Sequence, residues 1–557
     1  MRVPAILLAL FLFTMPSPGG TPGGPPLGAD GSPAKVAGWD LVRFASGEAP
    51  VGNVGSIDDQ SGRISDQLDR VPRIEPDYVD VTIPPNVAPL NFIIREEASS
   101  FEVTATSGSG QFQLEVTSSN GVVRFPETSW RELLAESVGD TISLRVTASQ
   151  GRGESSEVYL PFSMFVSSDE IDPWLVYRVI HPGYYSWSEI RIDQRSMESF
   201  EEEPVIQNRI MENNCANCHN FNQNSSDQFM IHVRGSLGGT YFVEDGEITR
   251  VDPKLDEMPA GATYPAWHPS GRYLAFSSNQ VRQSFYSIPG KAVEVYDLDS
   301  SLILYDRTVN ETLNIPGTGN ATYLETFPSW SPDGEYLYFC RALQVIGFSD
   351  PQLDQIQRTH YDIVRRSFDP ESRTFGEAEV VFNAVEIGKS ASFPRISPDG
   401  RFLAITVADY GTFPIWHKEA DLYLIDLDTG EQQRMEVNSE ETESYHTWSS
   451  SGRWMVFSSK RLDGRTGRPF FTHIDPEGNQ GKEFVLPQED PSRYDWMLES
   501  FNIPELVDGK IEVDPRDFLK AAGDDPLKAG SGNPPGFSPF RPLPEQGPGV
   551  SRRAPHG

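Results

Sequence analysis

Between Tyr78 and Val166 apolar and polar residues alternate with a period of two in VDVTIPP, LNFIIRE, SFEVTAT, QFQLEVTS, GVVRF, TISLRVTA and VYLPFSMFV, with Gly, Pro, Asn and Ser clusters between the runs. Seven short strands in about ninety residues predict a small β-sandwich-like domain over 78–168. The pattern then changes. DPWLVYRVIHPGYYSW is rich in aromatics, and PVIQNRIMENN (204–214) reads as a short helix with Pro204 in its first turn, ended by Asn213 and Asn214. Residues 169–227 are therefore expected to form a connector with a short helical segment.

From residue 228 the pattern repeats. YPAWHPSGRYLAFSSN (264–279), FPSWSPDGEYLYFCRA (327–342), FPRISPDGRFLAITVA (393–408) and YHTWSSSGRWMVFSSK (445–460) align without a gap, and their glycines Gly271, Gly334, Gly400 and Gly452 lie 63, 66 and 52 residues apart. Each unit reads as a strand, a tight turn and a second, apolar strand. Strands such as AVEVYDLDS and DLYLIDLDTG follow. A unit of this kind cannot bury both faces of its sheet alone, so the units are expected to pack radially into a propeller over 228–513. Residues 228–252 supply a candidate fifth blade and 491–513 a ring closure, which gives five or six blades. The fold class expected is mainly β. In the fourth unit His446 replaces the proline and Ser449–Ser450 replace Pro-Asp.

These W-S-P-D-G-x-x-L-x-F units resemble the repeats of TolB-like propellers. The resemblance covers about 250 residues and implies fold, since such propellers serve as binding platforms, enzyme domains and scaffolds alike.

Composition supports the β reading and narrows the function. With 45 prolines and 47 glycines in 557 residues the chain is rich in turns, and 38% hydrophobic residues suffice for large cores. Eighty acidic against 46 basic residues give a formal net charge of −34, which disfavours nucleic-acid and anionic-lipid partners. Three cysteines cannot make a disulfide framework. Ala5–Phe13 (AILLALFLF) is too short to span a bilayer and suits a secretory signal peptide over 1–20, with no Cys after it for a lipoprotein anchor; a membrane anchor is the alternative. A flexible linker and N-terminal extension (21–77) and a Pro/Gly-rich disordered tail (514–557) are expected around the fold. The mature chain is expected to be periplasmic or extracellular, with no transmembrane segment.

One motif carries chemistry. Cys215, Cys218 and His219 spell C-x-x-C-H, the attachment site of a c-type haem, in which two thiols bond the vinyl groups and the adjacent imidazole is the proximal iron ligand. Its random expectation in a chain of this composition is roughly 0.0003 matches. A tight disulfide, a thioredoxin-like pair without its βαβ context, and a zinc site without its remaining ligands are the alternatives. One haem c is the cofactor expected. The stretch 177–240 also resembles bacterial TolB-like propeller proteins carrying a single cytochrome c motif before the blades. That resemblance implies architecture and haem, and leaves the partners open.

For the sixth iron ligand, strand alternation in FMIHVRG puts Met230, His232 and Arg234 on one face and Phe229, Ile231 and Val233 on the other. His232 is the first choice, then Met230, Met211 and His181. Cys340, His268, His360, His417 and His473 read as structural or surface residues, and Glu198–Glu203 as a solvated face. No G-x-S-x-G elbow, phosphate-binding loop or H-E-x-x-H occurs. The function expected is electron transfer or redox sensing by an exported monohaem cytochrome whose propeller docks a redox partner or other protein. The competing readings are a non-catalytic interaction scaffold and a haem enzyme with an open coordination site.

Overall fold

The computed structural model describes residues 57–58, 64–151, 155–182, 186–258, 260–288, 291–315, 323–346 and 353–534. The signal-peptide expectation, most of the 21–77 extension and the tail beyond 534 lie outside these residues.

The chain is mainly β. Beyond residue 173 the strands assemble, among the described residues, into six sheets of four or five strands. Five sheets begin with the strands Cys215–Phe221, Ala262–Trp267, Tyr323–Trp330, Ser390–Ile396 and Glu443–Trp448, and each runs outward through antiparallel neighbours. In the remaining sheet the strand Ser500–Val507 pairs with Trp174–Ile180, followed by Arg191–Ser196 and Glu202–Gln207. Each of these six first strands packs beside the next, and Ser500–Val507 lies between Glu443–Trp448 and Cys215–Phe221, so the circuit closes. This is the arrangement of a β-propeller.

The repeat chemistry explains the joints. Pro-Asp-Gly and Ser-Gly turns place Gly271, Gly334, Gly400 and Gly452 at φ of 68–78°, where a Cβ is disfavoured. The repeat tryptophans reach sideways to the preceding sheet. The indole N–H of Trp267 donates to the Asn220 carbonyl (3.1 Å), and that of Trp448 to the Arg395 carbonyl (3.0 Å). Trp448→Phe keeps the ring and loses this bond. It is expected to cost about 1–3 kcal/mol, read by urea unfolding; an unchanged midpoint would show that the bond does not join the sheets.

Two expectations are corrected. No helix spans 204–214; Glu202–Gln207 is a strand, and turns carry the chain to Cys215. Val205 and Ile206 are buried against the sheet, and Pro204 sits where the register shifts beside Asp193, a place that tolerates a missing N–H. The tail is not structureless from 514. Pro515–Ala521 is a helix with a capping box at Asp514 and Asp517, Phe518 is buried, and Leu527–Lys528 and Gly530–Ser531 add parallel edge strands to two sheets.

Residues 57–166 form an eight-stranded and a three-stranded sheet with a helix at Glu127–Ala135. Trp130, Leu133 and Leu134 supply the buried face of that helix, a spacing that the strand reading passed over. This region shares one buried core with the Glu443–Val485 sheet. The Trp454 indole donates to the Asp169 carbonyl (2.9 Å), His473 pairs with Asp169 (2.7 Å), and the Tyr78 hydroxyl donates to the Val485 carbonyl (3.3 Å). Among the described residues no helix is long and apolar enough to cross a membrane.

Candidate functional site

The C-x-x-C-H motif lies in the innermost strand of its sheet. Cys215–Phe221 pairs with Gln228–Arg234, with a bulge between Asn217 and His219. The same irregularity recurs in the first strands of the other sheets, and there Tyr264, Phe327, Phe393, Tyr445 and Ile503 take φ of 49–53°. Cys218-His219-Asn220-Phe221 therefore occupies the place of Tyr264-Pro265-Ala266-Trp267, Phe327-Pro328-Ser329-Trp330 and Tyr445-His446-Thr447-Trp448. The motif is itself a repeat unit. Backbone held in the left-handed region at non-glycine residues costs of order 1–3 kcal/mol per residue and concentrates at functional sites.

The bulged residues make a collar. Ring centroids are 4.6 Å apart for Tyr264 and Phe327, 4.2 Å for Phe327 and Phe393, and 5.0 Å for Phe393 and Tyr445, with Phe413 5.6 Å from Phe327. Together with Cys218, His219, His446 and Asn502 they line a cavity of about 50 Å³. This is room for a few waters. A second cavity of about 400 Å³ follows at the other end of the strands, and Asn220, Pro265, Arg395, Thr447 and Glu505 line both.

Polar atoms in this channel are short of partners. Neither ring nitrogen of His219 has a hydrogen bond among the described residues, and His446 Nε2 and Glu505 Oε1 also lack one. His219 Nε2 stands 3.6 Å from Glu505 Oε1. Burial pushes the His219 and His446 imidazoles down to about 3 and the Glu505 carboxyl up to about 7. Cys215 and Cys218 are both buried free thiols. Arg178 Nη2 lies 3.7 Å from the Cys215 sulfur and Arg178 Nη1 2.6 Å from Asn217 Oδ1. Burial also raises the Cys218 thiol.

His446 yields a pH test. Its folded value lies below its ordinary one, so its contribution to stability is present above about pH 6.5 and is lost as the pH falls toward 3. At pH 5 the wild type forgoes about 2 kcal/mol through this group. His446→Leu removes that titration, so its destabilisation is expected to be about 2 kcal/mol smaller at pH 5 than at pH 8. Equal losses in urea titrations at both pH values would show that His446 is not held neutral.

The structure does not bring His232 to His219. Across the strand pair His219 faces Ile231 and His232 faces Asn217, so the two imidazoles leave opposite faces of the sheet. His232 is buried, with Nδ1 3.4 Å from Thr240 Oγ1. Met230 and Met211 lie in separate apolar cores, and His181 stands 3.9 Å from Glu499. The remaining histidines have structural partners: His268 the Gly334 carbonyl, His417 Glu294 and Glu419, His360 the Lys389 carbonyl. Cys340 is a fully buried core residue. In the acidic run Glu202 pairs with Arg493, and Glu201 and Glu203 with Lys510. His446, Arg395 and Glu505 escaped the sequence reading as site residues. One signal was available for His446: like His219, it stands where Pro265, Pro328, Pro394 and Pro504 stand in the other units.

A haem c would be held by Cys215, Cys218 and His219. The donors suit it: two thiols at the required spacing and an imidazole with both nitrogens free of hydrogen bonds. A cavity of about 50 Å³ does not admit a porphyrin between the collar rings, so the fit is one of donor chemistry and not of available space. Among the described residues no group of three or more His, Cys, Asp and Glu side chains is placed to hold a metal ion.

No family model and no curated protein matches the chain. Similar solved structures include Kuenenia stuttgartiensis hydrazine synthase (14% identity over 47% of this chain and 64% of that one, TM-score 0.29). They also include the Cps50 (Swd1) β-propeller domain of Myceliophteria thermophila (12%, 49% and 88%, 0.27) and prolyl oligopeptidase B of Galerina marginata (13%, 53% and 40%, 0.31). The matched part spans under two thirds of the hydrazine synthase chain. Likenesses this distant carry no conclusion about what the chain does.

Proposed function

We propose that the six sheets are the six blades of a TolB-like propeller and that the protein is an exported monohaem c-type cytochrome. Cys215 and Cys218 hold the haem covalently and His219 is the proximal ligand. The observation that supports this best is His219 itself, a buried imidazole beside a buried thiol at the hub, whose ring nitrogens make no hydrogen bond of good geometry and whose Nε2 stands 3.6 Å from Glu505 Oε1. A buried polar group is normally satisfied, and a metal would satisfy this one. When bound, the haem supplies a one-electron couple. The chain's own contribution is to keep His219 neutral by burial, as an iron ligand must be, and to place Arg178 beside the Cys215 sulfur. Electron transfer or redox sensing follows, with a protein partner docked on the propeller.

The small volume of the cavity at the collar favours a second reading, an interaction scaffold whose C-x-x-C pair is only structural. Periplasmic expression with haem-attachment machinery separates the two. The first predicts a c-type pyridine haemochrome spectrum, and a native visible spectrum that His219→Ala alters. The second predicts a colourless chain.

A further inference from the structure

We propose that the wider end of the channel is a binding site for a small, singly charged organic carboxylate. The site is the cavity of about 400 Å³ beyond the collar, at the opposite end of the innermost strands from Cys215. It does not depend on a haem.

Arg395 carries the argument. Its guanidinium lines both cavities and is largely buried, yet its hydrogen bond is to its own neighbour, the Pro394 carbonyl (2.9 Å). Among the described residues no carboxylate lies within ion-pair distance of it. Glu505, on another first strand of the circuit, attracts it from beyond that distance. Other buried arginines have either a carboxylate, as Arg341 has Glu325 and Arg461 has Glu443, or two carbonyl acceptors, as Arg195 and Arg468 have; Arg395 has one carbonyl. A planar fork of donors left open in a cavity of ligand size suits a carboxylate held by two parallel bonds.

The rest of the lining selects on charge. Glu505 lines the same cavity, so a singly charged carboxylate is favoured over a dianion such as sulfate. In a chain of net charge −34 an anion gains nothing from the general field, so selection rests on this local geometry.

The test is calorimetric titration of the whole chain with L-lactate, acetate and sulfate. One equivalent of L-lactate or acetate should bind, and sulfate at least tenfold more weakly. Arg395→Gln should weaken binding at least tenfold, and Arg395→Lys, which keeps the charge without the fork, should weaken it by a similar factor and covers a failure of the first variant to fold. No binding of either carboxylate, sulfate binding as tightly as they do, or unaltered affinity in both variants would overturn the proposal. Loss of the haem reading alone leaves these results unchanged, because haemochrome absorbance and lactate or acetate binding are read separately.

Discussion

A chain ending at Glu499 is expected not to fold. Ser500–Val507 is the first strand of a sheet whose other three strands lie some three hundred residues earlier in the sequence. Removing it uncovers the whole edge of Trp174–Ile180 and opens the circuit between Glu443–Trp448 and Cys215–Phe221. It also takes away Phe501, Leu506 and Val507, each at most 1% exposed. At about 1.5–3 kcal/mol per side chain the apolar loss alone is roughly 5–9 kcal/mol, comparable to the whole stability of an ordinary domain. A chain ending at Val513 keeps the strand and loses only the helix and the two short edge strands, so it should still unfold cooperatively at a lower temperature. Cooperative unfolding of the shorter chain, by circular dichroism and calorimetry, would contradict closure by this strand.

Trp454→Ala is expected to be the most damaging single substitution outside the hub. The side chain is fully buried, its indole donates to the Asp169 carbonyl, and its ring lies 5.0 Å from His473 and 6.3 Å from Phe484. It stands in the core shared by the N-terminal β region and the last repeat sheet. Cavity formation and the orphaned carbonyl together set the cost at about 3–5 kcal/mol. Because the core is shared, the variant should lower one common transition. A separate early melting of residues 57–168, with the remainder unaffected, would show that the N-terminal region is an independent domain.

What was legible in the sequence, and what was not, follows from where the information is local. The four units at Tyr264, Phe327, Phe393 and Tyr445 announce themselves because each turn is a Pro-Asp-Gly or Ser-Gly cluster. The unit at Cys218 escaped because Asn222-Gln223-Asn224 replaces that turn, with Gln223 and Asn224 taking the positive φ that glycine takes elsewhere. Its first strand then read as the end of a helix and a haem loop. Ile503-Pro504-Glu505 is a sixth unit without a second strand after it, since its partner is Trp174–Ile180. No window of sequence can show a pairing of that span. The helix-like spacing in 204–214 lost to the sheet because Val205 and Ile206 find apolar partners across strands. Cys215, Cys218 and His219 were legible as chemistry, and Arg395 and Glu505 were not, because nothing local marks a residue whose significance is the strand it faces.

The most direct test of haem attachment at the hub strand is the intact mass of the mature chain from a host competent for cytochrome c maturation, with the Cys215→Ala/Cys218→Ala variant beside it. The account predicts one haem added to the wild type, resistant to acid-acetone extraction, and none on the variant. A wild-type chain at its polypeptide mass, with Cys215 and Cys218 as thiols or joined to each other, would contradict it.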